Sequence, residues 1–420
     1  MNYTHLLVLI LLPLAALGQP QLKDFLGSQK ISFKEIPCQE GFKECYELYL
    51  QQQLDPKKPE KGYFHQKLFL SHRDINSPLV LFISGYEVKR NIIKDWTTHY
   101  NANQIFVEHR YFGSSVPDSI DYTTLSIENA AHDLHYIKEV FGKFYSKGWI
   151  STGGSKGGLT AATYKYFYPA DVAATILHST SVKDKACDSS FFDYIDSLSK
   201  HYGCADKIVL FQRAVLEKRD SIIPKLKAYL DKHGQSYAQL GLDSILEMAV
   251  LEFPFSLWQN NQGCQSLTQI NYNPDSLFAL LEKGVDGWFQ VDAEKEIDPF
   301  AYQAYKELGY YCYKTDALKD LLKATPQLPA SYIHPSIPIT YSNYLMVKMR
   351  RWLTDKGNNI IYLNGTFDPY SRYLINPSRS TNSVLFLLEE KNHVQANYAN
   401  LEENEQKQVD LLIKQWLKAQ

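Results

Sequence analysis

The sequence lacks an excess of charge of either sign. Its 44 Lys and Arg residues nearly balance its 46 Asp and Glu residues, the formal net charge is −2, and the charges form no basic stripe or acidic tail. Proteins that bind nucleic acid or another polyanion carry a basic patch or stripe. The composition therefore gives no indication of a nucleic-acid partner.

Long apolar runs are scarce as well. One covers Leu6 to Leu12 and is followed by small residues at Ala16 and Gly18. This layout is typical of a secretory signal peptide, so we predict that residues 1–18 are cleaved and that the mature protein is secreted or periplasmic. The alternative is an uncleaved membrane anchor, for which the run is short. No other stretch has the length of a membrane span, and we expect no membrane association after cleavage. The oligomeric state stays open.

Cysteine is rare, with six residues in 420. None has the spacing to histidines that a zinc site requires, so we predict no metal and no cofactor. An even number of cysteines in an exported chain favours disulfides. The sequence does not decide their connectivity, but pairing between neighbours would give Cys38–Cys45, Cys187–Cys204 and Cys264–Cys312.

A short β-prone run ends in glycines around Ser155 and passes directly into a helix of small residues. In this arrangement, a nucleophile elbow, the serine lies on a sharp strand-to-helix turn, and Gly153 and Gly157 must lack bulk for the turn to form. The amide of Lys156, at the helix N-terminus, would donate to an oxyanion. Gly-x-Ser-x-Gly also occurs by chance in glycine-rich turns. The surrounding sequence therefore has to decide whether this turn is a nucleophile elbow.

The surrounding pattern predicts one sheet with helices on both faces. Alternating or wholly apolar segments mark its strands at residues 31–36, 46–54, 63–70, 78–85, 104–108, 149–154, 172–178, 359–365 and 383–388. From residue 181 to residue 338 the sequence reads mostly as amphipathic helix. We therefore predict an α/β-hydrolase domain in two parts, residues 19–180 and 339–420, with a mostly helical cap inserted at residues 181–338.

A nucleophilic serine requires a base, and the base requires an acid that orients it. In this fold the three follow in the order Ser, acid, His, with the last two on loops after the final strands. Asp368 and His393 each follow one of the last two predicted strands. Each alone could be an ordinary loop residue, but with Ser155 they have the required order. We predict this catalytic triad, with Tyr86, after the strand at 78–85, as the second oxyanion donor.

Four segments carry a family resemblance: residues 154–158 (GSKGG), 107–117 (VEHRYFGSSVP), 302–311 (YQAYKELGYY) and 364–369 (NGTFDP). They resemble segments of the secreted bacterial tripeptidyl aminopeptidases, a family of serine peptidases related to the lysosomal Pro-Xaa carboxypeptidases and dipeptidyl peptidases. The lysine directly after the nucleophile, Lys156, makes this segment more similar to the tripeptidyl aminopeptidases than to the lysosomal relatives. The resemblance spans most of residues 78–400 and implies peptide substrates that are cleaved near a terminus, often after proline.

An aminopeptidase also requires a carboxylate that pairs with the α-ammonium of its substrate at a fixed distance from the nucleophile. Glu87 and Glu307 are our candidates, although either could be an ordinary surface charge; residues 108–110 are expected to form a structural ion-pair cluster beneath the site. We predict release of short peptides, foremost tripeptides, from N-termini. The alternatives are an esterase or lipase, a dipeptidyl peptidase or Pro-Xaa carboxypeptidase, and a non-catalytic protein on the same scaffold.

Overall fold

The computed structural model describes residues 21–238, 240–260, 263–268, 270–285, 298–324 and 339–419. The predicted signal peptide and several parts of the predicted cap, the longest at residues 286–297 and 325–338, lie outside these ranges. The strands of the described part are β1 (Ser32–Glu35), β2 (Glu44–Gln53), β3 (Tyr63–His72), β4 (Leu79–Ile83), β5 (Asn103–Val107), β6 (Trp149–Gly154), β7 (Ala174–His178), β8 (Ile360–Gly365) and β9 (Val384–Leu388). The helices are α1 (Leu22–Ser28), α2 (Asp95–His99), α3 (Ile127–Phe141), α4 (Ser155–Phe167), α5 (Ser190–His201), α6 (Ala205–Glu217), α7 (Arg219–Lys232), α8 (Leu242–Asn260), α9 (Pro274–Gly284), α10 (Pro299–Gln303), α11 (Tyr344–Asp355) and α12 (Glu403–Ala419).

The strands form one sheet in the order β1-β2-β3-β5-β4-β6-β7-β8-β9. β1, β2, β3 and β5 pair in antiparallel fashion, and every later pair, from β5–β4 to β8–β9, is parallel. An antiparallel edge that leads into a parallel sheet, with a serine on the turn after its central strand, is the α/β-hydrolase fold. The predicted fold class is confirmed.

Helices cover both faces of the sheet. One face packs against α3, α4 and α11, and the other packs against α2 and α12. The helix α3 begins as its sequence predicts, because the Ser126 side chain accepts a hydrogen bond from the amide of Asn129. This N-cap satisfies one of the first amides of the helix. The parallel strands β4 and β7 are almost wholly buried because helices cover both of their faces.

The helices α5 to α10 lie between β7 and α11 in the chain and, with residues 304–324, are called the helical segment below. It has a hydrophobic core of its own, rich in Phe, Leu and Ile, within the part of the chain that the structure describes. None of the described helices is long and apolar enough to cross a membrane.

The amphipathic pattern of the sequence predicts a helix at residues 316–323, and this prediction is wrong. Residues 316–321 form turns. The carbonyl groups of Ala317 and Leu321 accept hydrogen bonds from the guanidinium groups of Arg213 and Arg219, at 3.0 and 2.9 Å. The buried Glu247 side chain accepts the amides of residues 323 and 324. Side chains of α6 to α8 thus satisfy backbone groups that a helix would have paired internally.

The three disulfides are Cys38–Cys45, Cys187–Cys312 and Cys204–Cys264. Of the pairs that neighbour pairing would give, Cys38–Cys45 is present, whereas Cys187–Cys204 and Cys264–Cys312 are not. The 12-residue helix α5 separates Cys187 from Cys204, and at 1.5 Å per residue it spans about 18 Å. A β-bridge between Asp188 and Tyr311 instead brings Cys187 next to Cys312.

Candidate active site

The structure places Ser155 on the sharp turn between β6 and α4. Its φ of +53° lies in the left-handed region. A Cβ on Gly153 would lie 2.5 Å from the carbonyl oxygen of Gly157, and a Cβ on Gly157 would lie 2.4 Å from the carbonyl oxygen of Ile83 in β4. Because neither position has room for a side chain, the turn requires both glycines. The half-buried serine is thereby held at the end of the central strands.

Asp368 and His393 come together on the loops after β8 and β9. The Nδ1 atom of His393 lies 2.8 Å from the Oδ2 atom of Asp368, whose side chain is completely buried. The other carboxylate oxygen accepts the amide of Tyr370 at 3.0 Å. Since Nδ1 faces the carboxylate, Nε2 is left as the basic nitrogen of the ring.

The loop that carries His393 is anchored through its backbone. The amide of His393 donates to the carbonyl of Gln259, in α8, at 3.0 Å. The hydroxyl of Ser179, just after β7, donates to the carbonyl of His393 at 2.6 Å. The histidine is therefore fixed both to the helical segment and to the sheet.

Ser155 and His393 both line a cavity of about 530 Å³. Its other walls are largely apolar and aromatic, with Ile92, Trp96, Val394 and Tyr398 among them. No hydrogen bond between described residues joins Ser155 to His393. Catalytic hydrogen bonds are often long or poorly aligned before substrate binds. The two side chains share one space in which a substrate can complete their alignment.

Ser155 also lines a second, smaller cavity of about 30 Å³, which His393 does not line. The remaining lining residues are Tyr86, Lys156, Leu159, Ser179, Ser181, Lys183, Phe300, Leu308, Gly309 and Tyr370. This lining combines apolar side chains with two lysines and has no carboxylate. Ser155 thus separates a larger cavity, which contains the histidine, from a smaller one with basic side chains.

The two predicted oxyanion donors differ in their present partners. Lys156 is the second residue of α4, so its amide is among the first four, which have no acceptor within the helix. The amide of Tyr86 donates to the hydroxyl of Ser84 at 3.0 Å. Hence the Lys156 amide can donate to an oxyanion directly, and the Tyr86 amide has to leave Ser84 first.

The side chain of Lys156 stabilises the turn that carries Tyr86. Its Nζ atom donates to the carbonyl of Gly85 at 2.7 Å and lies 4.6 Å from the ring centre of Phe112. Only 5% of Lys156 is exposed, and this burial lowers the pKa of its amine well below the usual value. Sequence reasoning missed this role, because it assigned Lys156 through its amide alone.

Residues 108–110 form the expected structural cluster. Arg110 makes a buried ion pair with Asp133 at 2.7 Å, and Glu108 lies 3.1 Å from the amine of Lys67. Glu108 also accepts the amide of Val88 at 2.8 Å. The cluster therefore fixes the backbone two residues beyond Tyr86.

The two predicted ammonium anchors lie in different environments. The side chain of Glu87 is 44% exposed, with its carboxylate 3.8 Å from the amine of Lys89. Glu307 accepts the amide of Ile127, the first residue of α3, at 2.8 Å, and burial raises the pKa of its carboxyl to about 7. Neither glutamate is among the residues that line the two cavities beside Ser155. Their substrate-binding role stays a prediction.

Comparison with known proteins completes this picture. A family model described as PS-10 peptidase S37 matches residues 21–418. The chain belongs to the PS-10 peptidase S37 family. It is 31% identical over 363 residues to the prolyl tri/tetrapeptidyl aminopeptidase of Streptomyces mobaraensis, which covers 84% of this chain and 75% of that protein. It is 27% identical over 198 residues to the lysosomal Pro-X carboxypeptidase of Mus musculus, which covers 42% of this chain and 40% of that protein.

Membership in the S37 family makes the chain a serine peptidase, and the family resemblance predicted from the sequence is confirmed. The aminopeptidase relative supports an exopeptidase acting on peptides. Among solved structures, proline iminopeptidase from Mycobacterium smegmatis aligns over 92% of this chain and 99% of its own, at 11% identity and a TM-score of 0.38. The esterase Pf2001 from Pyrococcus furiosus aligns over 93% and 95%, at 11% identity and a TM-score of 0.36.

Sequence reasoning missed two further side chains of this S37 peptidase. Tyr370 lines the smaller cavity, and its ring centre lies 5.3 Å from that of His393. Its position two residues after Asp368 is a sequence feature from which its place in the active site could have been predicted. Lys183 lines the same cavity but comes just where the strand pattern of the sequence ends. No local feature of the sequence distinguishes it from a surface lysine.

Proposed function

We propose that this chain is an exported serine exopeptidase that releases short peptides, foremost tripeptides, from peptide N-termini and prefers to cleave after proline. The observation that carries the proposal is the position of Ser155 between two cavities, one of which it shares with His393. The 31% identity to a prolyl tri/tetrapeptidyl aminopeptidase supports the substrate class.

In the first step, Nε2 of His393 takes the proton of Ser155 as the hydroxyl oxygen attacks the scissile carbonyl. The amide of Lys156 donates to the oxyanion, joined by that of Tyr86 once it turns away from Ser84. Asp368 holds the imidazole in the required tautomer and stabilises its charged form. His393 then gives the proton to the leaving amine, and water hydrolyses the acyl-enzyme through the same base.

The two cavities divide the substrate between them. The leaving amine has to lie close to His393, so the leaving segment occupies the larger cavity and the acyl segment occupies the smaller one. The apolar side chains of Leu159, Phe300 and Leu308 suit a proline ring. At about 30 Å³ the smaller cavity holds roughly two water molecules. Its side chains therefore have to move when proline enters.

Export and gating complete the proposal. Three disulfides favour an oxidising compartment, which accords with the predicted signal peptide at residues 1–18. Residues 181–338 act as a cap that admits short or unfolded peptide ends and excludes folded proteins. If proteolytic removal of this cap leaves folded proteins still refused, the gating role is wrong.

The test is turnover of a matched set of arylamides: Ala-Ala-Pro, Ala-Pro and Pro, each with a free and with an acetylated N-terminus. We expect only the free tripeptide substrate to be cleaved efficiently, and Ser155→Ala to be inactive. Equal cleavage of blocked substrates would contradict an aminopeptidase. Hydrolysis of a short-chain p-nitrophenyl ester without any peptidase activity would favour the esterase alternative.

A further inference from the structure

Lys183 is a largely buried lysine beside the nucleophile. The residue is 9% exposed and follows β7, and its side chain lines the smaller cavity beside Ser155. Its Nζ atom lies 5.2 Å from the ring centre of Tyr370, but it makes no hydrogen bond or ion pair with any described residue. A Cβ on Gly309 would lie 3.2 Å from the Cβ of Lys183, so the lysine stem is packed closely against the backbone.

Two other buried lysines, Lys156 and Lys165, have hydrogen-bond acceptors for their amines. The amine of Lys156 bonds to one carbonyl, and the amine of Lys165 bonds to the carbonyls of Pro169 and Val172 at 2.7 and 3.0 Å. The amine of Lys183 instead belongs to a residue that lines a cavity, where a substrate group can take the place of water as its partner. An amine on the wall of the smaller cavity, which Ser155 also lines, is therefore suited to a partner that the substrate brings.

The position of the Lys183 amine determines which group of the substrate it can contact. The attacked carbonyl oxygen moves to the amide of Lys156, and the next acceptor along the acyl segment is the carbonyl of the preceding residue, about 3.5 Å further along an extended chain. A C-terminal carboxylate belongs to the leaving segment and would lie in the larger cavity with His393. Proline itself brings no side-chain acceptor. The preceding backbone carbonyl is thus the group that the acyl segment brings to Lys183.

We infer that Lys183 donates a hydrogen bond to the backbone carbonyl of the residue that precedes the attacked residue. This inference rests on the proposed function, and it makes Lys183 a specificity-determining residue of the acyl cavity. It also explains the length of the released peptide. An α-ammonium on either of the last two acyl residues would lie next to the Lys183 ammonium, in a cavity without a carboxylate, whereas a third residue moves it away.

The experiment compares two free-amine substrates. One is the Ala-Ala-Pro arylamide, and the other replaces its Ala–Pro amide by an uncharged alkene, which keeps the shape and removes the carbonyl. We expect Lys183→Met to lower kcat/KM for the amide substrate roughly 10- to 100-fold, the range for a hydrogen bond to a charged group, and to leave the alkene substrate nearly unchanged. Lys183→Arg should retain part of the discrimination.

The control is Lys165→Met, which removes a buried amine away from both cavities and should affect the two substrates equally. Labelling of Ser155 by a small fluorophosphonate, together with thermal unfolding, shows whether each variant is folded. An equal loss on both substrates, or no loss on either, overturns the role of Lys183. If the wild-type protein labels at Ser155 but cleaves no free tripeptide, the proposed function fails and this inference fails with it.

Discussion

A completely buried carboxylate at the end of the sheet, Asp368, and one in the helical segment, Glu252, differ in their partners. Asp368, after β8, accepts hydrogen bonds from an imidazole and from a backbone amide. Glu252, in α8, accepts hydrogen bonds from the hydroxyls of Tyr311, Tyr313 and Ser256. Both side chains are satisfied, and both residues have an exposure of 0%.

The two carboxylates differ in whether their hydrogen-bond partners can gain a charge. The imidazole beside Asp368 can take up a proton, and the carboxylate then stabilises the resulting charge. The hydroxyls around Glu252 stay neutral and cannot offset its charge, so burial raises the pKa of Glu252 to about 8. A buried carboxylate can thus serve acid–base chemistry where its partner can gain charge. With hydroxyl partners alone, its protonation is coupled to stability instead.

The largest expected effect tests the sheet side of this comparison. In Asp368→Asn, an amide faces Nδ1 and holds His393 in the wrong tautomer. We expect kcat for the free tripeptide arylamide to fall by roughly 10³- to 10⁴-fold, with little change in thermal unfolding. Steady-state kinetics and calorimetry measure both quantities. A kcat within tenfold of the wild-type value would show that Asp368 does not orient the base.

On the sheet side of the molecule, rules that involve only neighbouring residues predict the strands and the catalytic triad. Gly153 and Gly157 follow from the space that the elbow requires, and the order of Ser155, Asp368 and His393 follows from the order of the strands. The predicted strands agree with the observed ones because each is a continuous apolar or alternating run bounded by turn residues. Such features depend on neighbours in the sequence.

The remaining features depend on contacts between distant residues. The pairing of Cys187 with Cys312 spans 125 residues and results from one β-bridge. The position of the Lys183 amine depends on how Gly309 and Tyr370 pack around this side chain. No periodicity or motif reports any of these.

The next prediction tests the helical side. Because the folded pKa of Glu252 is raised to about 8, its protonated form contributes stability that is fully present below the ordinary pKa of about 4.5 and is lost as pH rises through about 8. Glu252→Gln keeps the shape and removes this titration. We expect the free energy of unfolding of the wild type, relative to the variant, to decrease by a few kcal/mol between pH 5 and pH 9. Denaturant titrations at each pH measure it.

A second buried glutamate of the same helix supplies the contrast. Glu247 is also fully buried, but it is paired with the guanidinium of Arg219 at 2.5 Å. Arg219 also pairs with the more exposed Asp243, so Glu247→Gln removes the buried one of its two carboxylate partners. We expect this variant to be less stable than the wild type at pH 5 and at pH 9 alike. If Glu252→Gln shows the same pH dependence as the wild type, Glu252 does not titrate in this range.

The smallest expected effect compares the two candidate anchors, one from each region. If Glu307 pairs with the substrate α-ammonium, Glu307→Gln should raise KM roughly 10-fold for the free tripeptide arylamide and leave an acetylated substrate unchanged, whereas Glu87→Gln should change neither. The pKa of Glu307 is raised to about 7, so its negative charge is lost as pH falls through 7. The wild-type KM for the free substrate should therefore rise from pH 8 to pH 6.

The alternative is that Glu307 only caps α3 through the amide of Ile127. In that case Glu307→Gln would lower the unfolding temperature without changing either KM, and a response of KM to Glu87→Gln would move the anchor to the sheet.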